Sequence, residues 1–325
     1  MHLRPTDDER TIDDVFEAFF TTEVTTDRVR ASEGLGHDAE LWARLAETGA
    51  QGMAVSEAAG GGGASLAVAA IAAGHLGRTL APIPLVEHVA ATRAIAAARP
   101  DHSTLADLVT GTTIAAVGFG HDLVPAGAVA DVVVHVTADE VAISHATPPM
   151  AAEPNSAGLP LALRPDRGQT LATAGGMRVV AEWQALMAAA LCGLGHRALT
   201  IGVDYVKDRE QFGVAVGTFQ AIQHGLANAA TQLEGAAFLA SRAIWALDTD
   251  QPDAHVKATM AFLFAADAAH QASATALQYH GGYGYAEEYD IQLYYRRARG
   301  WALQAGDPAL LYRGLADQLL PEAVA

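Results

Sequence analysis

Residues 204–228 read DYVKDREQFGVAVGTFQAIQHGLAN, and their reading decides the fold of the C-terminal half. The stretch begins at the end of one apolar-striped segment, breaks at QFG and restarts at Phe219. From there Phe219, Ile222, Leu226, Ala229, Leu233, Ala236, Ala240, Ala243 and Leu247 recur at three- and four-residue spacing, which predicts one helix over residues 218–248 with a single apolar stripe. So long a stripe requires neighbours of equal length. Residues 177–207 and 254–279 carry the same periodicity, and a last helix is expected after Asp307, read as an N-cap with Pro308 at the first helical position. Residues 174–325 are therefore expected to form an antiparallel four-helix bundle.

Upstream the period changes to two. TIAAVGF, DVVVHV, EVAISHA and LPLAL, separated by Gly-, Pro- and Asp-rich turns, predict a small β domain over residues 111–173. Before it, segments 12–22, 39–48, 65–76 and 85–98 have helical periodicity and make residues 1–110 a helical domain. The GGGG run at 60–63 has no strand before it and no GK[ST] after it, so it reads as a turn between helices and not as a phosphate cradle. The fold class is α+β, mostly α.

Composition narrows the function. With 20 basic and 37 acidic residues the net charge is -17, which excludes nucleic acid and anionic membrane surfaces as partners, because both need clustered Lys and Arg. The single cysteine, Cys192, rules out an intrachain disulfide and fits a reducing cytoplasm. The N-terminus MHLRPTDDERTIDD has no apolar core of the kind a signal peptide needs, and the alanine-rich stretches are broken by charges and glycines before they would span a bilayer. None of the thirteen histidines stands in a metal-binding arrangement such as HExxH.

Two stretches rise above composition: residues 204–228 and QYHGGYGYAEEYDIQLYYRRAR at 278–299. Arg209 sits where one long helix ends, and a fixed bidentate cation there suits a phosphate oxygen; a surface ion pair is the plainer alternative. Phe212 packs either on an adenine or on the core. Gln278 closes a helix, and Gly281, Gly282 and Gly284 clear side chains where backbone approaches something closely, either a nucleotide or the helix's own C-cap.

Together the two stretches resemble the acyl-CoA dehydrogenase family. Residues 41–85 extend the resemblance, with Ser56, Glu57, Gly60 and Gly61 standing in that family's PE-x-x-GG element. The resemblance implies FAD bound between domains and subunits, with Arg209, Phe212, Gln278, Gly281 and Gly282 on the half of the site that a subunit lends to its neighbour. It also implies an acyl-CoA substrate, α,β-desaturation by a carboxylate base and the flavin, and an electron-transfer protein as acceptor.

The departures from that family are specific. Its base is a Glu in the loop after the R-D-A-[RK] segment, where this chain has Ala305; other branches place it 26 residues before the R-x-x-FG arginine, where this chain has Trp183. Glu182 is the neighbouring candidate, although one residue turns a helix by about 100°. A first-turn acid favourable to the helix dipole is the other reading of it. The family's following Arg is Gln184 here, and the TEP-x-x-GSD element of its longer β domain is replaced by HDLVPAGAVAD. These losses resemble the short subunits of bacterial heterotetrameric enzymes, which act on steroid and other bulky CoA thioesters beside a full-length partner. A self-sufficient homo-oligomer using Glu182, and a scaffold subunit that has lost flavin, are the alternatives.

Overall fold

A computed structural model describes residues 6–320. The ends of the expected first and last domains, residues 1–5 and 321–325, and with them the start of the segment read as lacking a signal peptide, lie outside the described residues. Six helices come first: α1 (Asp7–Glu23), α2 (Thr26–Ala31), α3 (Ala39–Ala46), α4 (Leu66–Thr79), α5 (Leu85–Ala98) and α6 (Leu105–Val109). Thr6 and Glu9 form a reciprocal capping box on α1, which turns Phe16 and Phe20 inward. The short α2 and α6 were not expected, being too brief to show a period. The glycine run is indeed a turn: Gly63 and Ala64 donate to the Val55 and Met53 carbonyls, so those backbone donors are already used.

The middle of the chain holds six strands: β1 (Ala115–Gly118), β2 (Leu123–Val124), β3 (Val132–Val136), β4 (Val141–His145), β5 (Ala162–Leu163) and β6 (Gln169–Ala172). The main sheet runs β1-β3-β4-β6, with β1 parallel to β3 and the other pairs antiparallel. LPLAL contributes only the two residues of β5, paired with β2, while the fourth strand of the main sheet is β6. The sequence QTLA of β6 is a half-exposed edge with one buried residue, Leu171, and so gives no alternating signal.

The C-terminal half is built on α7 (Gly176–Asp208), followed by a two-strand turn, β7 (Glu210–Gln211) with β8 (Val214–Ala215), and then α8 (Gln220–Asp248), α9 (Ala254–His280), α10 (Ile291–Trp301) and α11 (Pro308–Leu319). α7 lies at the centre and packs against α4, α8, α9 and α10. By length and composition it could cross a membrane, yet it is the core helix here, with Trp183, Leu186, Leu191 and Leu194 fully enclosed. The fourth place against α7 and α9 is taken by α10, inside the second motif. α11 buries none of its residues and lies on α9, so the expected last helix is a surface element. Its cap is as expected: Asp307 accepts from the Ala309 N–H at 2.9 Å.

α4 and α7 touch backbone to backbone. A Cβ on Gly77 would lie 1.8 Å from the Ala190 carbonyl oxygen, and one on Gly193 2.0 Å from that of Gly74. At the start of α4, the Asp248 carboxylate from the end of α8 accepts the Leu66 N–H at 2.8 Å and the Ala67 N–H at 3.3 Å, serving as a cap supplied across the fold.

Candidate functional site

The last turn of α7 delivers Arg209 in extended conformation, its N–H still bonded to the Tyr205 carbonyl at 2.9 Å. The β7–β8 turn follows, with Phe212 and Gly213 both at positive φ. This two-residue geometry matches the twist of the strands, and it holds the Phe212 ring 93% exposed. The ring stands edge-on to Phe219, with centroids 6.3 Å apart, and most of it faces solvent.

Opposite, α9 ends at His280, and Gly281 adopts φ 62, ψ -140, a region open essentially to glycine alone. A 3₁₀ turn (Gly281–Tyr285) brings Tyr283 under the Arg209 guanidinium, 5.6 Å from the ring centroid. The two arms enclose an open cavity of about 510 Å³, lined by Arg209, Phe212, Gln278, Gly281 and Gly282 among others. All five residues singled out for cofactor binding thus meet in one place. Tyr205, His280 and Tyr283 join them and were missed, although Tyr205 stands one helical turn before Arg209.

The three glycines separate by cause. Gly284 packs, since a Cβ there would lie 2.6 Å from the Leu277 carbonyl oxygen; Gly281 is set by its dihedral angles; Gly282 has neither reason, and nothing stands within 4 Å of its Cβ position. Among the described residues no carboxylate lies within ion-pair distance of Arg209. An unpaired guanidinium and an open glycine turn facing one cavity suit a nucleotide pyrophosphate.

Of the two positions that the resemblance offers for a base, Ala305 is half-buried and Trp183 is closed off. Trp183 is fully buried, with Phe119 and Phe262 at centroid distances of 4.6 and 5.5 Å. Glu182 points elsewhere, as the helical rotation requires: Arg93 grips it through Nε at 2.8 Å and Nη2 at 3.1 Å, and Arg178 through Nε at 2.8 Å. Burial alone raises a carboxyl's pKa, but these two arginines hold Glu182 below the usual carboxylate range. A proton acceptor pinned between two cations is a poor base, so this pairing weighs against the catalytic reading of Glu182. Glu87, in the first turn of α5, went unnoticed among LVEHV; burial pushes its carboxyl up to about 7, and it faces the Trp183 indole.

Residues 6–100 match the N-terminal domain of acyl-CoA dehydrogenases, and residues 177–320 match their C-terminal domain. The chain belongs to the acyl-CoA dehydrogenase family. The class is that of oxidoreductases. It is 33% identical over 305 residues to acyl-CoA dehydrogenase IpdE2 of Mycobacterium tuberculosis, covering 90% of each chain. In fold it is similar to a chain of the ChsE4-ChsE5 complex of Mycobacterium tuberculosis (TM-score 0.87, 22% identity, 100% of both chains). It is similar too to a chain of a variant of the Tcur3481-Tcur3483 steroid acyl-CoA dehydrogenase (TM-score 0.88, 24% identity, 98% of this chain and 99% of that one).

Proposed function

We propose that this family member is the short subunit of an FAD-dependent acyl-CoA dehydrogenase, and that a full-length partner holds the flavin ring and the catalytic base. The supporting observation is an asymmetry. Arg209, Phe212, Gln278, Gly281 and Gly282 converge on one open cavity, while the two base positions hold an enclosed indole, Trp183, and Ala305. One half of the site is kept and the other is filled.

In this reading the Arg209 fork takes a phosphate oxygen of the FAD pyrophosphate, and the Tyr283 ring beneath it limits the guanidinium's rotation. The open face of Gly282 admits the nucleotide to the backbone, and Phe212 offers an aromatic surface to the adenosine end. When bound, the flavin supplies the acceptor for the β-hydrogen of the acyl-CoA, which leaves as hydride. The α-proton goes to a carboxylate on the partner, in keeping with Trp183 and Ala305 at the two base positions of this chain. The substrate class is a bulky, steroid-type acyl-CoA, in keeping with the name of one neighbour in fold, the Tcur3481-Tcur3483 steroid enzyme, and an electron-transfer protein reoxidises the assembly in the cytoplasm.

The test is isolation of the tagged full-length chain from its native host. A yellow assembly with a full-length family member, decolourised by Arg209→Ala, is the expected result. A homo-oligomer with one FAD per chain and full turnover overturns the mixed assembly, and a colourless one overturns the cofactor.

A further inference from the structure

The two arms of the cavity belong to different helices, α7 and α9, and a ring pair joins them. Tyr205 carries Arg209 on its own helical turn; His280 lies between Gln278 and Gly281. Their rings stack at a centroid distance of 3.9 Å with an interplanar angle of 19°. The Tyr205 hydroxyl also donates to the His280 carbonyl at 3.4 Å.

His280 is fixed from other sides as well. Its Nδ1 lies 2.7 Å from the Ala276 carbonyl oxygen, and a carbonyl only accepts, so Nδ1 carries the proton. Tyr289 stands edge-on to both rings, at 6.3 Å from Tyr205 and 6.0 Å from His280. The histidine is buried, and its residue forms part of the cavity wall. So many constraints on one imidazole at the cavity wall fit a spacer.

We propose that the Tyr205–His280 stack is the positioning element of the nucleotide grip. It sets the separation between the Arg209 guanidinium and the Gln278–Gly282 arm at the span of a pyrophosphate-bearing nucleotide. The proposal rests on the cofactor reading above and deepens it: Tyr205 and His280 act through Arg209 and through the glycine turn. The stack is held by its 3.9 Å ring contact, and tilting the rings meets Tyr289.

The experiment uses the native assembly carrying the full chain, depleted of flavin and retitrated with FAD, with binding read from flavin fluorescence and folding from a thermal melt. Tyr205→Met and His280→Asn remove one ring each; Tyr205→Phe and His280→Phe keep an aromatic ring in place. The ringless variants are expected to bind FAD roughly tenfold more weakly, the scale of one aromatic pair. Both phenylalanine variants should stay within about threefold of the unaltered assembly, since the ring pair persists. A merely structural role would lower the melting temperature in all four without separating them in affinity. If either ringless variant folds and binds FAD as tightly as the unaltered assembly, the positioning role is overturned while the cofactor reading stands. If the unaltered assembly takes up no FAD, both fall.

Discussion

Trp183 meets Phe119 edge to face with ring centroids 4.6 Å apart, in the interior of the fold. The indole is fully enclosed, so Trp183→Ala opens a cavity that its neighbours fill only in part. A loss of roughly 3–5 kcal/mol in urea unfolding is expected. Flavin held per folded chain should not change, because Arg209 lies 26 residues further along α7, about 40 Å away. Parallel loss of stability and flavin would contradict the separation of the two regions.

Glu87 makes stability depend on pH in one direction. Its folded pKa, about 7, lies above the ordinary 4.5, so the folded state binds the proton more tightly. Its contribution is full below about 4.5 and is lost as pH rises through 7, by roughly 3 kcal/mol at most. Glu87→Gln should therefore raise the unfolding midpoint more at pH 8 than at pH 5. An equal effect at both values would show that the carboxyl is solvated in the folded protein.

Glu182 acts with the opposite sign. Arg93 and Arg178 hold its folded pKa below 4.5, so its stabilising contribution is present above that pH and is lost as pH falls through the folded value. Glu182→Gln leaves two guanidinium groups without their shared anion and is expected to cost roughly 3–5 kcal/mol at pH 7. Turnover per folded assembly should be unaffected. A fall in turnover at unchanged stability would restore Glu182 as the base.

Gly282 and Gly284 give a matched pair. Gly284→Ala drives a methyl to 2.6 Å from the Leu277 carbonyl oxygen and should lower the melting temperature. Gly282→Ala meets nothing within 4 Å and should leave stability within about 0.5 kcal/mol. It is nevertheless expected to weaken FAD binding, since the methyl projects into the cavity. Unchanged binding on Gly282→Ala would place the nucleotide elsewhere.

The sequence made the long elements legible because burial writes itself as period. The stripe from Ile222 to Leu247 marks α8, and VVVHV marks β3. Elements that bury little left no such trace: β6, with only Leu171 enclosed, and α11, whose twelve residues lie on the surface. In the cavity, Arg209 and Gln278 were found through short motifs. Tyr205 and His280 were not, because a stack between two helices is a relation between distant positions. Glu87 was hidden for a different reason: an acid in the first turn of a helix normally faces water, and nothing in LVEHV announces that α5 is enclosed on every side.

The glycine seam between α4 and α7 bears on movement. At Gly77 with Ala190, and at Gly74 with Gly193, two main chains lie in contact without side chains between them, and there is no compressible layer for one helix to slide over. The N-terminal helices and the C-terminal bundle are in effect welded along this line. A hinge-bending enzyme admits its ligand by parting its domains; along this seam the chain has no such freedom, and a glycine-to-alanine change there would act as a wedge between the two helices.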